Sequence, residues 1–228
     1  MSQVRKSTDR DSEPDMSDID PQIYLASRSP RRRELLTQIG VRFAVLEADC
    51  DETRHPGEHP EDYVLRVAQE KARRVRGALP ADEQRPVLGA DTAVVVDERI
   101  LGKPATLDES LAMMRLLSGR CHRVMTAVAL ITVDEVRTDL SESRVTFRTL
   151  TREECLRYWA TGEPRDKAGG YGIQGLGALF VAGLTGSYSG VMGLPLFETA
   201  RLLGQAGIEL IPPATAGDAM NPREVAGE

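Results

Sequence analysis

The sequence has few cysteines, no long apolar run and no excess of basic residues. Its three cysteines, Cys50, Cys121 and Cys155, form no CxxC pair and leave an odd count, so the reduced thiols of a cytosolic protein are the simplest interpretation. No apolar run approaches the roughly 18 residues that a membrane-spanning helix needs, and the amino terminus has no apolar secretory segment. With a formal net charge of −6, the chain also lacks the broad basic field that nucleic acids and anionic membranes attract. We therefore expect a cytoplasmic protein that binds neither nucleic acid nor membrane.

The composition is that of a globular protein with one sizeable core. The chain has 228 residues, of which 41% are hydrophobic and 28% are charged. Residues 1–20 are polar and charged and predict a disordered leader, while residues 212–228 predict a disordered tail. We expect a single domain over residues 21–211.

The apolar pattern between these ends mixes strands with helices and predicts an α/β fold. Residues 86–96 are almost continuously apolar, as in a strand that is buried on both faces. Residues 124–133 and 136–150 predict an antiparallel pair of strands. The remaining predicted elements are strands over 23–26, 42–48 and 179–182, and helices over 30–39, 60–79, 106–117, 151–159 and 193–203.

An unusual charge pattern opens the first predicted helix. Ser29 can cap the helix and Pro30 suits its first position. Arg31, Arg32 and Arg33 then crowd the first turn, where the positive end of the helix dipole favours carboxylates. A bound anion would account for this conflict, because backbone N–H groups and guanidinium groups would converge on it. The alternative is three solvated arginines that point outward, and the spacing does not choose between the two.

A carboxylate lies inside the strand that is predicted to be buried on both faces. Asp91 follows Gly89 and Ala90 near the middle of that strand. A buried carboxylate is costly unless it is paired, hydrogen-bonded or bound to a metal. Because its small neighbours leave space for a ligand, the pattern favours a functional acid over a structural one.

Two further charged residues precede Asp91 in the chain. Lys71 falls on the apolar face of the second predicted helix, where it either extends its ammonium to water or delivers it into a cavity. Glu52 lies in an acidic loop and offers the hard oxygen that Mg²⁺ prefers, although such acids are often only solvated. His55 and His59 lie in the same loop, but its prolines and glycine prevent helical metal-binding geometry, so we interpret them as ordinary loop histidines.

A glycine-rich segment over residues 162–177 is the second unusual stretch. Its six glycines indicate backbone that runs close to a ligand, and Gln174 can both donate and accept hydrogen bonds, as the edge of a nucleobase requires. A surface loop without a ligand is the alternative. Lys103, between Gly102 and Pro104, lies in a stiff bend that could present a second cation.

Taken together, these stretches resemble the Maf family of nucleoside triphosphate pyrophosphatases. The resemblance covers about residues 23–206, and the order of the blocks is that of the family. It implies an α/β fold with an elongated mixed β-sheet flanked by helices and two lobes around a nucleotide cleft, as in Maf and ITPase-like proteins. The matching blocks are Ala26–Leu36, Glu70–Ala72, Gly89–Thr92, Gly102–Pro104, Asp166–Gly175 and Gly193–Leu196.

The resemblance implies a substrate-binding role for the cationic residues. Arg31 and Arg32 would bind phosphate oxygens, and Lys71 and Lys103 would complete a cationic cradle. Ser29, which precedes the arginines, is counted with the substrate-binding residues. Arg33 falls at a variable position of the motif and is left out.

The resemblance also implies catalytic and specificity residues. Asp91 would be the proton acceptor, and Glu52 and Asp91 would hold a divalent metal or orient water. The implied metal is Mg²⁺, with Mn²⁺ as the alternative. Arg31, Thr92 and Gln174 match positions that are tied to the choice of base.

The resemblance further implies the reaction. The segment Tyr-Gly-Ile-Gln-Gly over residues 171–175 resembles the subgroup that hydrolyses dTTP and UTP, together with modified pyrimidine nucleotides, to the monophosphate and pyrophosphate. A homodimer is also implied. The alternatives are a non-catalytic nucleotide-binding regulator of septum formation and the same chemistry on 7-methyl-GTP. One departure is Gly190, where relatives commonly carry Asn, and it leaves the substrate preference open.

Overall fold

A computed structural model of the chain describes residues 20–47 and 49–210. The predicted leader and tail lie outside these residues, apart from Asp20, and stay predictions. Six α-helices and seven strands form within the described ranges, and their order confirms the predicted mixture. The elements are β1 (Ile23–Ala26), α1 (Pro30–Gln38), β2 (Phe43–Val45), α2 (Pro60–Ala78), β3 (Val87–Val96), β4 (Arg99–Leu101), α3 (Leu107–Leu117), β5 (Cys121–Ile131), β6 (Val136–Phe147), α4 (Arg152–Ala160), β7 (Val181–Thr185), α5 (Tyr188–Met192) and α6 (Leu196–Gln205).

The seven strands form one mixed sheet. Its order is β2-β1-β3-β5-β6-β7, and β4 pairs with β3 outside that path. β1 runs parallel to β2 and β3, whereas β4, β5, β6 and β7 join their neighbours antiparallel. This arrangement confirms the predicted α/β fold with a mixed sheet and helices against it.

The central strand, β3, has a gap along one of its edges. β5 pairs with β3 from Val87 to Val95 and so occupies one edge. β1 and β4 share the other edge, where β1 pairs as far as Gly89 and β4 begins only at Val94. Among the described strands, none pairs with residues 90–93 of β3 on that side. Asp91 and Thr92 therefore lie beside an opening in the sheet.

Three apolar clusters define where the helices pack. α2 covers one face of the sheet, where alternate residues of β3 such as Ala93 and Val95 contact its alanines and valines. The other face carries two clusters. One joins α1 and α6 to the first half of β3, and the other joins α3 and α4 to its last residues. These two clusters are the cores of the two lobes of the fold. Between them lie Thr92 and Thr126, which pair across β3 and β5.

The end of the chain differs from its predicted pattern. The strand predicted over 179–182 is a 3-10 turn over Leu176–Phe180 followed by β7. The predicted last helix begins later than expected, since Gly193 is left-handed, with φ 118°, and Pro195 lies at the cap. Gly193 ends the short helix α5, which the sequence did not predict because five residues carry too little periodicity. No helix within the described ranges is long and apolar enough to cross a membrane.

Candidate functional site

The three arginines at the start of α1 have three different environments. Ser29 caps the helix, with its hydroxyl 3.5 Å from the amide of Arg32, as the sequence predicted. Arg33 is exposed, and Arg31 is partly exposed with its guanidinium 3.7 Å from Asp166. Arg32 is buried. The arginine cluster is therefore neither a uniform anion site nor a solvated face.

Arg32 ties the lobe of α1 to the middle of the sheet. Its guanidinium donates from Nε to the Gly193 carbonyl at 2.7 Å, from Nη1 to Ser27 Oγ at 3.1 Å and from Nη2 to Thr92 Oγ1 at 3.3 Å. Burial lowers the pKa of Arg32, although the charge of Asp91 opposes that effect. Arg32 thus supports the floor of the cleft as well as lining it, and its role in phosphate binding stays a prediction.

Gly190 belongs to the same network. Thr92 Oγ1 lies 2.9 Å from Thr126 Oγ1, which donates to the Gly190 carbonyl at 2.7 Å. Gly190 is buried, and a Cβ there would lie 3.1 Å from the Cβ of Ser187 and 3.3 Å from Ser141 Oγ. It does not line the cleft described below. An asparagine side chain here would press on the hydroxyls behind the site.

Asp91, Lys71 and Glu52 form a compact charged group on the α2 side of the opening. The Lys71 ammonium is 2.7 Å from Asp91 Oδ1 and 2.8 Å from Glu52 Oε1. Asp91 is 6% exposed, and the side chain of Lys71 is 13% exposed. Lys71 therefore delivers its charge into the cleft and does not extend it to bulk water.

Small residues allow α2 to come close enough for this contact. A Cβ at Gly89 would lie 2.3 Å from the Ala68 carbonyl and 3.0 Å from the Ala72 Cβ. Glycine on the strand and alanines on the helix therefore let the backbones approach. As a result, Lys71 on α2 reaches Asp91, two residues after Gly89.

The two carboxylates have pKa values pushed in opposite directions. Burial raises the pKa of Asp91 even though the charges of Lys71 and Arg32 oppose it. Burial also acts to raise the pKa of Glu52, but the hydrogen bond and charge of Lys71 outweigh it, so the pKa of Glu52 lies below its ordinary value. Neighbouring acids that differ in this way suit one proton acceptor and one permanently ionised ligand.

An ion pair that the sequence analysis missed holds the loop of Glu52 against α2. Arg66 binds Glu58 through Nε to Oε1 at 2.6 Å and through Nη2 to Oε2 at 2.9 Å. Arg66 also donates to the Thr53 carbonyl at 3.0 Å, and the Tyr63 hydroxyl donates to the Glu52 carbonyl at 3.1 Å. The hydrogen bonds from Arg66 lower the pKa of Glu58 to about 2. The spacing of Glu58 and Arg66, with the loop and a helix turn between them, gave no signal.

The glycine-rich segment closes the opposite wall of the cleft. Gly169 is left-handed with φ 68°, and a Cβ there would lie 2.9 Å from Val94, so the backbone packs directly on β3. Gln174 is exposed at the rim. Lys103, in the bend after β4, is also exposed. Both side chains face solvent that a substrate can replace.

One cleft of about 600 Å³ joins these parts. It lies at the opening in the sheet, between the two lobes. Every residue that the sequence analysis selected contributes to its lining. Their roles are predictions, but their convergence is observed. The selected residues are Ser29, Arg31, Arg32, Glu52, Lys71, Asp91, Thr92, Lys103 and Gln174.

The donor set of the cleft fits a divalent metal shared with a substrate. Glu52 and Asp91 each give one oxygen to Lys71, and in the described part of the chain their second oxygens accept no hydrogen bond. No group of three or more His, Cys, Asp or Glu side chains within that part could hold an ion by itself. Two carboxylates completed by water and phosphate oxygens are a typical Mg²⁺ site. His55 and His59 are exposed in their loop and line no part of the cleft.

The sequence matches known proteins over most of its length. Residues 22–206 match the family described as Maf-like protein. A dTTP/UTP pyrophosphatase of Alkalilimnicola ehrlichii is 57% identical over 192 residues, which are 83% of this chain and 95% of the relative. A dTTP/UTP pyrophosphatase of Saccharophagus degradans is 56% identical over 79% of this chain and 87% of the relative.

A solved structure also aligns with the chain. It is a nucleoside-triphosphatase / dITP/XTP pyrophosphatase from Mycobacterium abscessus, with 16% identity and a TM-score of 0.39. The alignment covers 81% of this chain and 93% of that one. It is too loose to support an inference.

Proposed function

The chain belongs to the Maf family, and we propose that it is a nucleoside triphosphate pyrophosphatase that hydrolyses dTTP and UTP to the nucleoside monophosphate and pyrophosphate. Modified pyrimidine triphosphates are further substrates in this proposal. The observation that carries it is the position of Asp91, a buried acid bonded to Lys71, in the same cleft as the arginine-rich start of α1.

The cleft offers separate groups for binding and for chemistry. Arg31, Lys71 and Lys103 supply positive charge for a triphosphate, and the Arg31 amide adds a hydrogen-bond donor, since Pro30 has no N–H and Ser29 caps the Arg32 amide. The oxygen of a water molecule attacks the α-phosphorus, and Asp91 accepts the proton that this water loses. The bond from that phosphorus to the bridging oxygen then breaks, and its electron pair leaves with pyrophosphate.

Glu52, the acid that stays ionised, would hold the divalent metal, and Asp91 would share it only through the oxygen that does not take the proton. We propose Mg²⁺, and Mn²⁺ would suit the same oxygens. When bound, the metal would neutralise the negative charge that develops on the leaving pyrophosphate.

We also propose a cytoplasmic homodimer. The three cysteines are free in the structure, as the cytoplasm favours, and the similarity to the Maf family supports the dimer. Light scattering of the purified protein tests the dimer.

Purified protein should release pyrophosphate from dTTP and UTP faster than from CTP, dCTP, ATP, GTP or 7-methyl-GTP. The measurement is pyrophosphate release from each nucleotide with Mg²⁺ and with excess EDTA, and we expect EDTA to remove turnover. Faster turnover of 7-methyl-GTP would keep the chemistry and reject the substrate. Binding of nucleotide without turnover by folded protein would favour the non-catalytic regulator and reject the enzyme.

The acid limb of the pH profile should reflect the raised pKa of Asp91. As pH falls, Asp91 takes up a proton and stops acting as a base, so kcat/KM for dTTP should fall with a midpoint above about 3.9, the ordinary aspartate value. Because the charge of Glu52 contributes to raising that pKa, Glu52→Gln should move the normalised limb to lower pH. A limb that stays in place in this variant would belong to the substrate phosphate instead.

A further inference from the structure

The part of the glycine-rich segment that carries the exposed Gln174 is held at two points. On one side, the Tyr171 hydroxyl lies 2.8 Å from Nε2 of His122, and both side chains are buried. On the other side, Glu163 binds the backbone after the glycines. The residues between these points, 172–175, include Gln174 at the rim of the cleft.

The carboxylate of Glu163 is the centre of the second point. It accepts from the Tyr158 hydroxyl at 2.7 Å, from the Leu176 amide at 2.8 Å and from the Gly177 amide at 3.1 Å. The Tyr158 hydroxyl is in turn an acceptor for the Gly172 amide at 3.1 Å. One side chain and one hydroxyl thus fix the backbone on both sides of Gln174.

These positions have no room for a side chain, because the backbone passes close to Glu163 and its neighbours. A Cβ at Gly175 would lie 2.4 Å from Glu163 Oε2, and one at Gly177 would lie 2.8 Å from the Tyr158 hydroxyl. A Cβ at Gly172 would lie 2.7 Å from Lys167 Cε. The backbone around Gln174 therefore follows the surface of the Glu163, Tyr158 and Lys167 side chains.

We propose that Glu163, through Tyr158 and the backbone amides, is a positioning residue for base selection. It sets where the Gln174 amide meets the base, and its hydrogen bonds do not involve the residues at the start of α1 that would bind the triphosphate. This inference rests on the proposed function, because it assigns the selection of pyrimidine substrates to the loop that Glu163 holds.

Glu163→Gln keeps the size of the side chain but places an amide among groups that all donate hydrogen bonds to it. Misplacing Gln174 should raise KM for dTTP about tenfold and lower the ratio of kcat/KM for dTTP over CTP about tenfold, the effect of one hydrogen bond of roughly 1.4 kcal/mol. The kcat for dTTP should change less than about threefold, because Asp91 and Lys71 are untouched.

Tyr158→Phe is a second variant that removes only the hydroxyl and leaves the ring packed against Phe180. It should produce the same split between KM and kcat. Glu154→Gln is the matched control, because Glu154 accepts from the Thr151 amide at the cap of α4, pairs with Arg148 and lies outside the cleft. It should lower the melting temperature without changing the ratio of dTTP to CTP.

Three outcomes would overturn the proposal. If Glu163→Gln and Tyr158→Phe only lower the melting temperature, as Glu154→Gln does, their role is structural. If kcat falls equally for all nucleotides, Glu163 acts on the chemistry and not on selection.

Dissociation constants for dTTP and CTP, measured by calorimetry in EDTA, separate this inference from the proposed function. An inactive wild type rejects the enzyme, and an unchanged affinity ratio in the variants rejects the role of Glu163.

Discussion

Asp91→Asn should remove pyrophosphate release while leaving the protein at least as stable as the wild type. We expect kcat to fall by a factor of about 10² to 10⁴, which is the usual contribution of a positioned general base. Asn keeps the shape of the side chain and a partner for the Lys71 ammonium, whereas it cannot accept the proton of the attacking water. The loss should therefore appear in kcat for every nucleotide.

The stability half of this prediction follows from the pKa of Asp91. Burial raises that pKa above its value in the unfolded chain, so between the two values the folded state binds more protons than the unfolded state. The free energy of unfolding consequently falls as pH rises from the unfolded pKa through the folded pKa. At neutral pH, ionised Asp91 is a net cost to the fold, and a neutral amide avoids that cost.

Thermal unfolding between pH 4 and 8, together with pyrophosphate release, tests both halves. Asp82→Asn is the control, since Asp82 is an exposed acid before β3 whose side chain makes no hydrogen bond or ion pair in the described part of the chain. It should match the wild type in both measurements. A marked drop in melting temperature for Asp91→Asn would instead make Asp91 a structural acid, and retained turnover would reject it as the proton acceptor.

The sequence could predict part of the cleft because several of its residues break a local rule. Asp91 is a carboxylate in an apolar strand, Lys71 is a cation on an apolar helix face, and the arginines at α1 oppose the helix dipole. Rules of this kind are local, so a single sequence exposes their violations. Other residues that line the cleft break no such rule, and Thr92 was selected only through the resemblance to the Maf family.

What the sequence could not predict depends on partners far along the chain. Arg32 is distinguished from Arg31 and Arg33 by the carbonyl of Gly193, which lies 161 residues away. The opening in the sheet arises because β1 and β4 share one edge of β3, a matter of register and not of composition. The Arg66–Glu58 pair likewise joins a helix to an irregular loop whose course has no periodicity.

Lys71→Met should lower both activity and stability, and the loss of stability should grow with pH. The substitution keeps the apolar length of the side chain but leaves the buried carboxylate of Asp91 without its closest cation. Removing one partner of a buried ion pair costs roughly 3–5 kcal/mol, and the lower end applies here because Glu52 is half-exposed. Turnover should fall by about 10² or more, since the ammonium also stabilises the transition-state charge.

The pH dependence identifies the cause of that loss. The charge of Lys71 lowers the pKa of Asp91, so its removal raises that pKa further and widens the range over which the folded state binds an extra proton. At low pH, Asp91 is protonated in both states and the variant should approach the wild type. With rising pH, the cost of ionising Asp91 appears and the melting temperature of the variant should drop more steeply than that of the wild type.

Two further variants complete the design. Lys71→Met combined with Asp91→Asn should recover most of the stability but none of the activity, because it removes the unpaired charge together with the base. Lys103→Met is the matched control, since Lys103 is exposed in the same cleft and has no ion pair among the described residues. It should lower activity without changing the slope of stability against pH. Equal slopes for Lys71→Met and the wild type would mean that Lys71 does not stabilise ionised Asp91, and the charged group at the opening in the sheet would lose its proposed role.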